Sequence, residues 1–134
     1  MSKLAEIEGI GAACAAKLET AGVRNQAELL AAGATPKGRK ELAEKCELSG
    51  KLILKWINRA DLARVKGIGE EYADLLEHAG VDSVPELAQR RADNLYQKMV
   101  EVNEAKKLVR GMPGESTVAK WVEEAKGLPR AVSY

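Results

Sequence analysis

Apolar positions along this chain recur at three- and four-residue spacings, the period of helices that bury one face. No stretch alternates convincingly in the way a half-buried strand does. Ser2 reads as the cap of a short helix Lys3–Ile7 that Gly9 ends. Helix Ala12–Ala21 follows, with Cys14, Leu18 and Ala21 on one stripe and Gly22 as its stop. Asn25 caps Gln26–Ala32, and Thr35-Pro36 opens Pro36–Cys46 with a capping hydroxyl followed by proline at the first helical position. Ser49 caps Gly50–Leu62, whose Ile53, Leu54, Trp56 and Ile57 cover one broad face; this helix is expected to run on to Val65 and join the two halves of the chain. Beyond it the same signals predict Glu70–Ala79, a Ser83/Glu86 capping box with a helix reaching Arg91, then Leu95–Glu101 and Glu104–Arg110. A Met112-Pro113-Gly114 turn and a Ser116-capped helix Thr117–Lys126 complete the set, about nine or ten short helices in all. Residues 130–134 read as a frayed tail.

The pattern is written twice. Ile7-Glu8-Gly9-Ile10-Gly11 returns as Val65-Lys66-Gly67-Ile68-Gly69, an offset of 58 (65 − 7). Leu18-Glu19, Ala21-Gly22-Val23 and Glu28-Leu29 return at that same spacing. Lys55-Trp56-Ile57-Asn58-Arg59-Ala60 returns as Lys120-Trp121-Val122-Glu123-Glu124-Ala125, now offset by 65 (120 − 55), so the second copy gained seven residues in between. Internal repetition outranks local propensity when a fold is being assigned. The expected organisation is a first repeat over 1–62, a second over 63–129 and a tail over 130–134.

Composition supports this. Hydrophobic residues make up 46% of the chain, yet Phe is absent and aromatics are only 4%, so Ala and Leu supply the apolar mass. That suits closely packed helices better than a β-sandwich. Two cysteines, Cys14 and Cys46, do not make a disulfide framework and read as small buried thiols of a reducing compartment. No window is long and apolar enough to span a bilayer and no signal peptide is visible, so a cytoplasmic protein without membrane partners is expected. The net charge is +1, unlike the strongly basic balance of a dedicated nucleic-acid domain. The charge is unevenly spread, however. Nine basic residues between Thr35 and Lys66 (Lys37, Arg39, Lys40, Lys45, Lys51, Lys55, Arg59, Arg64, Lys66) face four acidic ones. Such a stripe suits a polyanion or, equally, a solvated helix face.

A helix, a Gly-apolar-Gly turn and a second helix ending in Ala-Gly-Val make up the helix-hairpin-helix pattern, fullest here from Leu62 to Val81. Its logic is physical. Glycine takes backbone angles closed to other residues at the turn, and Ile10 or Ile68 plugs the small core beneath it. Gly11 or Gly69 then leaves unsatisfied N–H groups at a helix N-terminus, where a phosphate can sit. The whole chain, from about Leu4 to Pro129, resembles a tandem helix-hairpin-helix family described as a domain of unknown function. Its marks include Gly33-Ala34-Thr35-Pro36, Trp56-Ile57-Asn58-Arg59-Ala60-Asp61-Leu62, Val81-Asp82-Ser83-Val84-Pro85-Glu86-Leu87-Ala88, Lys98-Met99-Val100-Glu101-Val102-Asn103 and Trp121-Val122. The resemblance implies an all-α fold of two helix-hairpin-helix repeats, a SAM-domain-like helical architecture. It also implies sequence-independent contact with a duplex DNA backbone, in some relatives with a monovalent cation on hairpin carbonyls, and in others a protein-contact surface instead.

The leading expectation is therefore a non-catalytic module that binds nucleic-acid backbone weakly. Gly9, Ile10, Gly11 and Ala12 form the first bend and Lys66, Gly67, Ile68 and Gly69 the second, with charge from Lys17, Lys37, Arg39, Lys40, Lys51 and Lys55. Glu70 and Glu71 argue against the second bend, since carboxylates in a first turn repel phosphate while complementing the helix dipole. The rival is a protein-interaction scaffold that uses the hairpin faces or the two Trp-bearing helices. A further pattern, Leu42 to Ile53, follows helix-turn-helix spacing with Glu47 at the turn position; it would put Gly50, Lys51, Lys55 and Arg59 in a major groove. No Ser–His–Asp, Cys–His or phosphate-loop arrangement is present, and Asp74, Glu77, Glu123 and Glu124 lack metal-ligand spacing. No enzyme activity, cofactor or resident metal is expected. His78 reads as an exposed, replaceable position, and Trp56 and Trp121 as core.

Overall fold

The computed structural model describes residues 4, 7 and 10–133. Among these the architecture is all-α, with eight helices and no strand or sheet. They are α1 Ala12–Thr20, α2 Gln26–Ala32, α3 Pro36–Cys46, α4 Gly50–Leu62, α5 Glu70–His78, α6 Val84–Ala88, α7 Ala92–Lys106 and α8 Glu115–Gly127. The expected Ser2 cap and most of the expected helix Lys3–Ile7 lie outside the described residues.

The chain divides into two units. The first runs to Asp61 and takes back the chain from Arg130; the second spans Leu62–Pro129. Each unit has its own core. Leu18, Leu29, Ile53, Trp56 and Ile57 fill the first, and Leu76, Leu87, Val118, Trp121 and Val122 fill the second. In the first unit α1 and α2 pack on α3; in the second α6 and α7 pack on α8, and α5 on α7.

Positions that correspond in sequence have the same fate. At the offset of 58, Leu18 and Leu76, Val23 and Val81, and Leu29 and Leu87 are all buried. At 65, Ile53 and Val118, Trp56 and Trp121, and Ala60 and Ala125 are too. Helices α1 and α5 end alike. Gly22 (φ 93°) and Gly80 (φ 96°) take the left-handed conformation, and the next amide, of Val23 or Val81, donates to Leu18 O or Leu76 O at 2.8 Å in both. This is the Schellman closure, which satisfies carbonyls the helix leaves open and buries the residue after the glycine.

Four boundaries differ from expectation. Helix α4 stops at Leu62, where Val65 N–H donates to Leu62 O (3.0 Å) and Ile68 N–H to Val65 O (3.2 Å) in tight three-residue turns. Helix α6 stops at Ala88, with Gln89 as its C-cap. The two expected pieces Leu95–Glu101 and Glu104–Arg110 are instead one helix, α7. Asn103 does not break it. From within the helix its side chain accepts from Val109 N–H (3.0 Å) and donates to Val109 O (3.2 Å), pinning the inserted loop back onto α7. Helix α8 starts after Gly114, so Ser116 lies in its first turn rather than at its cap. The expectation for the last residues is corrected outright: Val132 is buried in the first core, and Ser133 N–H donates to Ala34 O at 2.7 Å.

The turn between α3 and α4 holds Glu47 at φ 55°, ψ 42°. Left-handed backbone costs a residue with a Cβ about 1–2 kcal/mol. Glu47→Gly relieves that strain at some cost in unfolded-chain entropy, for an expected net gain of about 1 kcal/mol. A higher urea midpoint with an unchanged slope is the readout; a lower midpoint would show that the Glu47 side chain stabilises the turn.

Candidate functional site

The second bend is built on Gly67. It adopts φ 93°, and a Cβ there would lie 3.1 Å from Trp121 Nε1. Ile68 is buried beneath it, as its plug role requires. The Trp121 ring tilts against Tyr72 with centroids 5.3 Å apart, and the Tyr72 hydroxyl donates to Gly111 O (3.1 Å). One bend amide is already taken: Lys66 N–H donates to Glu124 Oε2 at 2.8 Å. Glu70 and Glu71 stand exposed in the first turn of α5. The second bend is thus lined by three carboxylates of its own chain.

At the first bend Glu8 and Gly9 lie outside the described residues. Ile7 and Ile10 are buried, and Ile10 N–H donates to Ile7 O (3.1 Å), the counterpart of the Ile68–Val65 bond. Gly11, Ala12 and Ala13 are exposed. The second glycine of each bend has a different role from the one expected. Gly11 (φ −82°) and Gly69 (φ −93°) are extended helix caps open to any residue, and a Cβ on either meets nothing within 4 Å.

The end of α1 differs electrostatically from every other helix start among the described residues. Asn25, Thr35, Ser49 and Ser83 each accept a first-turn amide of α2, α3, α4 and α6. Helices α5, α7 and α8 lack such a bond but carry Glu70 and Glu71, Asp93, and Glu115 in their first turns. Helix α1 has neither a capping side chain nor a first-turn carboxylate. Its partial positive charge is the one that its own first turn leaves uncompensated.

Of the basic candidates, Lys17, Lys37, Lys40, Lys51, Lys55 and Lys66 are exposed. Arg39 is not, and its assignment to a charged contact surface is corrected. It is 8% exposed, with Nη1 donating to Gly33 O (2.9 Å) and Nη2 to Ser133 O (2.8 Å). Arg59 is also buried, which removes it from the helix-turn-helix face proposed for α4. Arg64 Nη2 donates to Pro129 O. Lys51 and Lys55 lie one turn apart on α4. They flank a shallow groove of about 440 Å³ between α3 and α4, lined by Pro36, Lys40, Ala43, Leu48, Gly50 and Leu54.

A family model described as a domain of unknown function (DUF4332) matches residues 8–128. The chain belongs to this family. No curated protein and no solved structure matches the chain.

Several further residues of this DUF4332 domain now have definite surroundings. Both tryptophans are core residues, not surface aromatics. His78 is exposed, its Nδ1 2.9 Å from Asp74 O. Cys46 is buried with Sγ donating to Lys17 O (3.6 Å), and burial pushes its thiol above the ordinary range. Among the described residues no group of three or more His, Cys, Asp or Glu is placed to hold a metal, and no helix is long and apolar enough to cross a membrane. Sequence reading missed Gly33 and Gly38. A Cβ on Gly33 would fall 2.3 Å from Ile57 Cδ1, and one on Gly38 2.3 Å from Ala32 O. The only hint was their place in and beside the Gly33-Ala34-Thr35-Pro36 mark.

Proposed function

We propose that this chain is a helix-hairpin-helix module that binds nucleic-acid backbone without sequence preference, chiefly through the N-terminus of α1. The observation that carries this reading is the uncapped, carboxylate-free start of α1, exposed behind Gly11. Aligned amides and the helix dipole make such an end a ready anion site. The matching turn bonds at Ile10 and Ile68, with both isoleucines buried, support the tandem hairpin reading. Exposed Lys17, Lys37, Lys40, Lys51 and Lys55 supply sequence-blind attraction. The second bend, with Glu70, Glu71 and Glu124, serves stability and contributes little to binding. No chemical step is needed, and the reading is of a non-enzyme.

Salt is the first test. Three engaged phosphates predict about a forty-fold loss of affinity between about 50 and 200 mM salt, read by fluorescence anisotropy on duplex and single-stranded DNA. Salt-insensitive affinity, or none at either concentration, would remove the proposal. The second test copies the second bend into the first. Ala12 and Ala13 correspond to Glu70 and Glu71 at the 58-residue offset. Ala12→Glu with Ala13→Glu is expected to weaken DNA binding at least ten-fold while stabilising α1 by about 0.3–1 kcal/mol per carboxylate. Unchanged binding in that folded variant would exclude the end of α1 as the contact.

A protein-interaction role is the alternative. It is favoured by the apolar α3–α4 groove and by Leu52, exposed on α4. It predicts association that survives salt and no retention on heparin.

A further inference from the structure

The last described residues form a built contact, not a loose end. Val132 is 2% exposed and belongs to the first core, with Ala131 packed beside it. Ser133 N–H and Oγ both reach Ala34 O, at 2.7 and 3.2 Å. Ser133 O accepts from Arg39 Nη2, and the other arm of that guanidinium, Nη1, is held by Gly33 O. The recognising groups are therefore a carbonyl, a buried guanidinium and an apolar hole. Two of the three read main chain. Only the hole, filled by Val132, and the hydroxyl contact read side chains.

This is how an extended peptide is recognised by a surface made for it: backbone hydrogen bonds supply affinity and a pocket for one side chain supplies selectivity. We propose that the first unit carries a docking slot for an extended peptide with a small β-branched residue followed by a small hydroxyl residue, and that residues 131–133 are a strap that fills it in cis. The strap is its own template for the partner's chemistry. A tethered segment also competes at an effective concentration on the order of millimolar, so only a partner segment that outbids it gains entry. The slot lies at Gly33, Ala34 and Arg39, apart from the α1 terminus, and does not depend on nucleic-acid binding.

The test uses the full chain and Val132→Asp, which expels the strap from its apolar hole. The probe is a fluorescent peptide of sequence Pro-Arg-Ala-Val-Ser, with Pro-Arg-Ala-Asp-Ser as the control. The expected result is binding to V132D at least ten-fold tighter than to the unaltered chain, and none of the control. If V132D is unfolded, recovery of helical circular dichroism on adding millimolar peptide supports the slot equally. A folded V132D that ignores the peptide overturns the proposal, as does an unfolded one that no peptide rescues. Equal binding to both proteins also overturns it, because the peptide would then be held elsewhere. Concentration-dependent dimers of the unaltered chain that V132D abolishes would make a second copy the occupant and overturn the assignment of a separate peptide partner.

Discussion

Trp121→Ala is expected to melt the second unit while the first stays folded. Trp121 is 3% exposed, stacks obliquely on Tyr72 and lies under Gly67, so it supports the bend, α5 and α8 together. Deleting a buried tryptophan costs about 3–5 kcal/mol. A unit of about 70 residues has only about 3–10 kcal/mol of stability to lose. The two cores share no member, so the loss stays on one side. The chain has two tryptophans, one in each core, which makes the test direct. In the variant Trp56 alone fluoresces and reports the first unit. Circular dichroism should show roughly half the helical signal lost early, while Trp56 emission stays native to a higher temperature. Simultaneous loss of both signals would show that the units fold as one.

Gly38→Ala should destabilise the first unit even though it improves helix propensity. Gly38 is the third residue of α3, where alanine is normally favoured by about 1 kcal/mol. The added methyl would lie 2.3 Å from Ala32 O, a backbone atom that cannot rotate away. Overpacking of this kind costs about 1–3 kcal/mol, and the net effect should be a loss. Gly50→Ala is the control. It also begins a helix, and its Cβ meets nothing within 4 Å, so it should be neutral or gain up to about 1 kcal/mol. Urea midpoints moving in opposite directions for the two variants are expected. A gain in both would show that α3 shifts freely away from α2.

These cases show which features local signals can carry. Asn25, Thr35 and Ser83 cap α2, α3 and α6 as their residue types and spacing predict, because a cap joins residues three apart. Gly22 and Gly80 stop α1 and α5 for the same reason. Asn103 and Glu47 were harder to read. Asn103 looked like a break but is helical, because its partner Val109 lies in an inserted loop with no counterpart in the first copy. Glu47 takes a turn that glycine would normally signal, since Leu48 N–H still reaches Ala43 O at 3.0 Å.

At the candidate site, the contrast between Ala12-Ala13 and Glu70-Glu71 is visible in the residues themselves, because like positions carry unlike charge. The fate of the basic stripe is not. Arg39 and Lys40 are neighbours in sequence, yet one is buried against carbonyls and the other faces solvent.

The residue order by itself settled the helical class, the helix ends set by neighbouring residues and the duplication with its shift from 58 to 65. The tertiary structure alone decided that Arg39 and Arg59 leave the surface, that Glu124 covers the second bend, and that the chain's last residues complete the first core. The difference lies in separation along the chain. Arg39 and Ser133 are 94 residues apart, and a bond of that span leaves no periodic trace for local patterning to reveal.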